Sequence, residues 1–413
     1  MCNKKKLFFL FSVLILSLTF FVKQPFVHAK SFSNFKTKAL ENNINKNISP
    51  SIAIALSDQN GRIIYQKNKD KKLVPASILK ILTSLAAIHF LSENFEFPTD
   101  YFFDEKSKNL YIKGYGDPLF ISETIEKLCD KIILKIGSNK VDNIVLDQKY
   151  FAKDIELPGQ SKSFNPYDAH VGALCANFNT ITFKTKKNIY ISAEKQTPLL
   201  DIFYDEIKKT KQKQGRIIIS KKKSLLYPGH LIKHFLEQKG VIIKGDVLLG
   251  DFIALKQEKA SFVSEFTLTT LIQKLLKYSN NYMANQLLLV IGAKTYQAPA
   301  TMQKGIKAIK LFAKQHLKIN DLDIVEGSGL SRENRISANQ MIKILVKFMP
   351  FNSLLDKNGN DLFKTGTLSK VTNRAGFIIG KNNKLYPYVI MINQKDKNYN
   401  TILKKLKKIV NNL

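Results

Sequence analysis

Pro75-Ala76-Ser77-Ile78-Leu79-Lys80-Ile81-Leu82-Thr83-Ser84-Leu85-Ala86-Ala87-Ile88-His89-Phe90-Leu91 is the stretch on which the reading of this chain turns. Its apolar residues recur at helical spacing, and proline suits the start of a helix, where a missing N–H is no loss. The pattern predicts a helix over residues 77–91. Residues three apart share one helix face, so Lys80 can reach back to Ser77. A serine hydroxyl is a poor nucleophile until a base takes its proton. Burial and a neighbouring cation lower a lysine's pKa, and an uncharged lysine is a competent base. The backbone N–H groups of a helix N-terminus around Ser77 favour developing negative charge.

Two further strings follow in order, Ser279-Asn280-Asn281 and Lys364-Thr365-Gly366-Thr367. The first ends a helical run over residues 266–278. Taken alone it reads as a helix break. As part of a site, Ser279 can relay a proton between Lys80 and a leaving group, and Asn281 can hold a substrate backbone amide. The second string begins a predicted edge strand. Gly366 lets a ligand approach the backbone closely, and Lys364 can hold a carboxylate as a fixed charge, which would also depress Lys80. The backbone N–H groups of Thr367 and Ser77 would together form an oxyanion hole.

Working outward, Ser51 to Leu56 and Arg62 to Tyr65 alternate around Asp58-Gln59-Asn60-Gly61 and predict a hairpin. Residues 374–380 and 385–392 read as two long strands and 401–410 as an amphipathic helix. Strands from both termini thus flank helical material, an α+β layer whose sheet is built from both ends. About 200 residues separate Ser77 from Ser279, enough for a domain of their own. Short strands (110–112, 143–146, 180–183, 217–220, 247–249) and helices (123–136, 230–238) predict an inserted, strand-rich domain over residues 95–251. Residues 30–94 and 252–413 then form one discontinuous catalytic domain.

The 413 residues carry a formal charge of +32 and are 44% hydrophobic, ordinary for a globular protein, so disorder is not the default. Arginine occurs only at Arg62, Arg216, Arg332, Arg335 and Arg374, so the excess charge is nearly all lysine. Nucleic-acid faces favour arginine and clustered stripes, and no nucleic-acid partner is expected. The charge still draws the chain toward anionic wall polymer or lipid, and the lysine-rich C-terminal helix permits weak membrane-surface association, although packing on the terminal sheet is preferred. Lys4, Lys5 and Lys6, the apolar run 7–22 and Val27-His28-Ala29 read as a signal peptide over residues 1–29 cleaved near Ala29. An uncleaved anchor is the rival; both export the body of the chain, to the periplasm. That compartment permits a disulfide between Cys129 and Cys175, whose proximity the spacing leaves open. His230 and His234 lie one turn apart without H-E-x-x-H, and no metal or organic cofactor is expected.

The ordered triple matches the S-x-x-K, S-x-N and K-T-G signature of penicillin-binding proteins and serine β-lactamases. From about residue 48 to residue 413 the chain resembles the D-alanyl-D-alanine carboxypeptidase/endopeptidase family, the low-molecular-mass class C penicillin-binding proteins with a large insert between the first two motifs. Gly114-Tyr115-Gly116-Asp117-Pro118 is similar to the family's G-x-G-D-P. Glu326-Gly327-Ser328-Gly329-Leu330-Ser331-Arg332 with Asn334 is similar to its D-G-S-G-L-S-R-x-N, and residues 167–179 to a segment of its insert. Asn280 and Glu326 stand where the family usually has aspartate. The chain has no tryptophan, whereas the family often has tryptophans and an acidic residue just before the position of Tyr167.

The resemblance implies a β-lactamase/transpeptidase-like α+β fold. It implies a serine D-Ala-D-Ala carboxypeptidase or endopeptidase that acts on peptidoglycan stem peptides through an acyl-enzyme and is acylated by β-lactams. Ser77, Lys80, Ser279, Asn281 and Lys364 would be catalytic. Thr365, Gly366, Thr367 and Arg332 would bind substrate or oxyanion, Arg332 as a clamp for a peptide carboxylate. A catalytically weak wall-binding protein and a β-lactamase or esterase on the same fold are the alternatives. The pattern sets no oligomeric state.

Overall fold

Strands from the two ends of the chain meet in one antiparallel sheet. The computed structural model describes residues 49–161, 163–253, 258–395 and 398–413. The segment read as an export signal and the start near Lys30 lie outside these residues. In chain order the first elements are β1 (Ile52–Ser57), β2 (Ile63–Lys67), a 3-10 turn (Ala76–Leu79) and α1 (Lys80–Leu91). Then come β3 (Glu96–Asp104), β4 (Asn109–Gly114), α2 (Ser122–Ile136), β5 (Ile144–Asp147), β6 (Thr180–Lys186), β7 (Ile189–Ser192), β8 (Gln214–Ile218), α3 (Tyr227–Gln238), β9 (Val247–Leu249) and β10 (Ala260–Thr267). The remainder is α4 (Leu268–Tyr278), α5 (Asn281–Tyr296), α6 (Met302–Leu317), α7 (Ala338–Phe348), β11 (Asp356–Asn358), β12 (Asp361–Leu368), β13 (Val371–Ile379), β14 (Leu385–Ile392) and α8 (Asn400–Asn411).

The terminal sheet has the order β11-β12-β13-β14-β1-β2. β1 pairs with β14 in the register Ile54↔Ile390, so the first and last strands are central neighbours. Every residue of β1 is buried, as expected of a strand covered on both faces. Ala53, Ala55, Val389 and Met391 join the helical core of α1, α5 and α7, while the alternating Ile54, Leu56, Tyr388 and Ile390 are equally buried on the other face. The β1–β2 turn closes because Asp58 Oδ1 accepts from the N–H groups of Asn60 and Arg62 and Gly61 takes φ +81°. α8 packs on β14 and buries Leu403, Leu406, Ile409 and Val410, so its apolar face is used inside the protein. Among the described residues no helix is long and apolar enough to cross a membrane.

A second core gathers residues between Tyr101 and Val247. Its five-stranded sheet runs β9-β5-β4-β3-β10, with α2 and α3 packed on each other and a separate β8-β6-β7 sheet beside it. β10, beyond residue 251, pairs antiparallel with β3, so this sheet takes in a strand from past the boundary read in the sequence.

Three local expectations shift. Ser77 lies in the 3-10 turn, and the α-helix itself starts at Lys80. The run before Ser279 becomes helical only at Leu268, because Phe266 and Thr267 are spent on β10. β12 starts at Asp361 rather than Lys364 and is second from the edge, but β11 pairs it only as far as Phe363, so its outer side is free of a partner strand from Lys364 onward.

Candidate active site

The turn that carries Ser77 is tied down on both sides. Asn373, fully buried on β13, donates from Nδ2 to the carbonyls of Val74 and Pro75, both at 2.8 Å. Asn393 accepts from the Val74 N–H at 2.8 Å and donates back to its carbonyl at 3.2 Å. These bonds hold Ala76 at φ +47°, a left-handed conformation that alanine adopts only under constraint. The reversal presents Ser77, half-buried, at the start of α1.

Lys80 is wholly buried. Its Nζ lies 2.9 Å from Ser77 Oγ, 2.8 Å from Asn281 Oδ1 and 2.7 Å from the Ser328 carbonyl oxygen. Burial, and then the charge of Lys364, lower its pKa to about 7, against an opposing pull from Glu326. The three partners are chemically unequal. An uncharged amine has two N–H groups and one lone pair. Asn281 Oδ1 and the Ser328 carbonyl can only accept, so they take the two N–H groups. The lone pair is left for Ser77, whose O–H is the one donor among the three.

Ser328 is offered to Lys80 by a loop built around one carboxylate. Glu326 is fully buried and accepts six hydrogen bonds, from the N–H and Oγ–H of Ser328, the N–H groups of Gly329 and Ser331, and the amides of Asn285 and Asn334. The loop is wedged against the turn, since a Cβ on Gly329 (φ +83°) would lie 1.9 Å from the Ala76 carbonyl oxygen. Thr83 Oγ1 donates to the Gly327 carbonyl at 2.6 Å and fixes the loop to α1.

Ser279 closes α4 in the left-handed conformation (φ 52°), and Asn280 opens α5 by accepting from the Met283 N–H at 3.1 Å. Asparagine and aspartate are equally good N-caps. This accounts for asparagine at a position where the related pattern has aspartate. At the first position of α5 Asn281 turns its Oδ1 to Lys80, leaving its side-chain N–H donors free among the described residues. Ser279, Asn280 and Asn281 line one wall of a cavity of about 630 Å3.

From the other side β12 closes on the turn. Strand alternation places Lys364 and Gly366 on one face and Thr365 on the next, opposite Arg374. Lys364 is almost wholly buried, and desolvation lowers its pKa to about 8. Gly366 abuts the turn, and an added Cβ would sit 2.8 Å from the Pro75 oxygen and 3.0 Å from the amide nitrogens of Ser77 and Ile78. Thr367 follows it, exposed. Gly366→Ala is expected to push β12 off the Ser77 turn, because every atom met is backbone. The β-lactam acylation that the family resemblance implies should then fall about 100-fold, the size of effect seen when one oxyanion donor is lost; stopped-flow acylation rates check this.

Ser77, Lys80, Asn281 and Lys364 are thus brought together, with Ser279 and the Gly366–Thr367 backbone beside them. Arg332 is exposed and donates from Nη2 to the Ser369 carbonyl at 2.7 Å, just past the end of β12. Its guanidinium is thus tied to the segment that follows β12. Asn373, Asn393 and the role of Glu326 were not foreseen from sequence. The asparagines carry no local signal, and Glu326 is marked in the sequence only by standing where the family usually has aspartate. Cys129 and Cys175 are both buried and free and belong to different cores. His230 and His234 are half-buried. Among the described residues no group of three or more His, Cys, Asp or Glu side chains is arranged to hold a metal ion.

The chain is also similar to several known proteins. D-alanyl-D-alanine carboxypeptidase DacB of Haemophilus influenzae is 24% identical over 406 residues, 82% of this chain and 84% of that protein. The crystal structure of penicillin binding protein 4 (dacB) from Haemophilus influenzae superposes with TM-score 0.71 at 20% identity, covering 87% of this chain and 96% of the other. A penicillin G-acylated predatory endopeptidase from Bdellovibrio bacteriovorus, in complex with an immunity protein, superposes with TM-score 0.53 at 17% identity over 87% and 92%. These likenesses show the β-lactamase/transpeptidase-like α+β fold. The model of one family matches residues 37–356, and the chain belongs to that family: D-Ala-D-Ala carboxypeptidase 3 (S13).

Proposed function

We propose that this member of a D-Ala-D-Ala carboxypeptidase family is an exported serine DD-peptidase. It acts on peptidoglycan stem peptides by removing terminal D-alanine and by cutting D-Ala crosslinks. The observation that carries the reading is the buried, uncharged-prone Lys80 amine 2.9 Å from Ser77 Oγ, with its other two contacts pure acceptors. Ser77 Oγ attacks the carbonyl of the penultimate D-alanine while Lys80 takes its proton. The N–H groups of Ser77 and Thr367 receive the oxyanion, and Asn281 holds the peptide amide. Collapse of the tetrahedral species breaks the peptide bond, and Ser279 passes the proton to the departing amine. Lys364, with Thr365, holds the free carboxylate of the substrate, and Arg332 takes a more distant one. Water then releases the acyl group.

The reading also includes export by the N-terminal segment and a discontinuous catalytic unit interrupted by the second core. β-Lactams resemble the peptide and should acylate Ser77. Mass spectrometry of the products from purified muropeptides tests the activity; protein that leaves both pentapeptides and crosslinked dimers untouched sinks it.

A pH profile follows from the two lysines. Lys80 must be uncharged to act as base, so the acylation rate rises as pH passes about 7. Lys364 must be charged to hold a carboxylate, so the rate falls as pH passes about 8. The two amines repel each other, so the apparent values belong to the pair. A bell-shaped profile with its maximum between the limbs is expected for β-lactam acylation at constant ionic strength. A rate that keeps rising to pH 10 would contradict the role given to Lys364.

A further inference from the structure

On the Ser279 side of the nucleophile the cleft continues into the cavity of about 630 Å3. That is the size of a pocket for a drug-sized ligand, far more than one alanine needs. Ser279, Asn281 and Lys274 line it together with Phe178, Thr180 and Arg216. Arg216 is held in place, with Nε donating to Thr180 Oγ1 at 2.8 Å and its guanidinium 5.2 Å from the centre of the Phe178 ring. Yet among the described residues Arg216 has no ion-pair partner, and its outer nitrogens make no hydrogen bond. Lys274, 5.7 Å from the centre of the Phe266 ring, has no ion-pair partner among the described residues either. Two carboxylates, Glu123 and Glu194, also line the cavity, and Glu194 accepts from Thr182 Oγ1 at 2.9 Å. The space therefore offers two cations without a direct ion pair, Arg216 feeling the Glu194 carboxylate only at longer range, beside acceptors for an amine or peptide N–H.

We infer that this cavity is the subsite for the leaving strand of a crosslink, a carboxylate-bearing peptide attached to the departing amine, with Arg216 and Lys274 receiving a carboxylate of that strand other than the one held by Lys364. The inference rests on the serine DD-peptidase reading above. In that reading Lys364 and Thr365 hold the carboxylate next to the departing amine and Ser279 protonates the amine, so the remainder of a departing peptide strand is left to extend on the Ser279 side. Terminal trimming releases a single D-alanine and leaves most of the cavity unfilled. Crosslink cutting releases a peptide that extends into it. A fixed guanidinium binds carboxylate with two parallel N–H bonds, so Arg216 contributes to one activity far more than to the other. The two cations thereby set the balance between trimming and cutting.

The test compares kcat/KM on a purified crosslinked muropeptide dimer with kcat/KM on a monomeric pentapeptide, for wild type, Arg216→Ala, Arg216→Lys and Lys274→Ala. Titration with fluorescent penicillin counts intact sites in each preparation, so misfolded protein is normalised out. The dimer-to-monomer ratio is expected to fall about tenfold in Arg216→Ala, less in Arg216→Lys, and severalfold in Lys274→Ala. A ratio unchanged in both alanine variants overturns the subsite. So does a wild-type enzyme that trims pentapeptide but never cuts the dimer, and that result leaves the DD-peptidase reading standing. Folded wild type that attacks neither substrate overturns the DD-peptidase reading itself.

Discussion

Ser77→Ala is expected to abolish covalent labelling by fluorescent penicillin and to lower peptide cleavage about 10,000-fold or more. The variant removes the one oxygen that can form the acyl bond and leaves the surroundings intact. Ser77 is half-buried, and its side chain contacts Lys80 through the 2.9 Å bond to Nζ. Loss of such a bond costs stability by about 1 kcal/mol, so the variant should fold and melt within a few degrees of wild type. Lys80 keeps Asn281 and the Ser328 carbonyl as partners. The wild-type adduct should map by peptide mass to the fragment containing Ser77. Persistent labelling of the alanine variant would remove Ser77 from the mechanism, whatever the fate of the rest of the site.

Glu326→Ala is expected to produce the largest loss of stability among changes around the cleft. One buried carboxylate accepts six hydrogen bonds from a single loop and from Asn285 on α5. Its removal strands backbone N–H groups of Ser328, Gly329 and Ser331 in a site closed to solvent. Each stranded donor costs about 1–3 kcal/mol, so a total of about 3 kcal/mol or more is expected even with partial hydration. The effect should reach the chemistry, because the same loop brings the Ser328 carbonyl to Lys80 at 2.7 Å. With that acceptor displaced, the lone pair of Lys80 is no longer directed at Ser77, and acylation should slow. Glu326→Asp should recover much of both, since the shorter carboxylate can hold the same donors after a small shift of the loop. Thermal melts and penicillin acylation rates on the two variants check this; a Glu326→Ala protein that melts and acylates like wild type would refute the positioning role.

Much of the architecture was legible because its causes are local. Alternation and turn chemistry around Asp58 and Gly61 gave the first hairpin, and the two C-terminal strands and the last helix followed from their periodicity. Motif boundaries were less legible wherever a neighbour in space competed for the residues. Phe266 and Thr267 continue a helical pattern in sequence, but β3 claims them as the end of a strand. Lys364 opens no strand, because β12 already pairs with β11 from Asp361. Ser77 sits before the α-helix rather than in it, because Asn373, Asn393 and Gly329 force a left-handed residue at Ala76.

The sequence by itself determined which side chains could carry the chemistry. A serine, a lysine, a second serine, an amide and a second lysine appear in a fixed order, each with local context suited to a helix start, a helix break or a strand, and such cues are written within a few residues. Only the tertiary structure decided what those side chains are. The pKa of Lys80 falls because it is buried beside Lys364, the direction of its lone pair is set by two acceptors 201 and 248 residues away, and the loop holding one of them depends on Glu326. Desolvation and hydrogen-bond geometry belong to a place in space, and that place exists only after distant segments have packed around it.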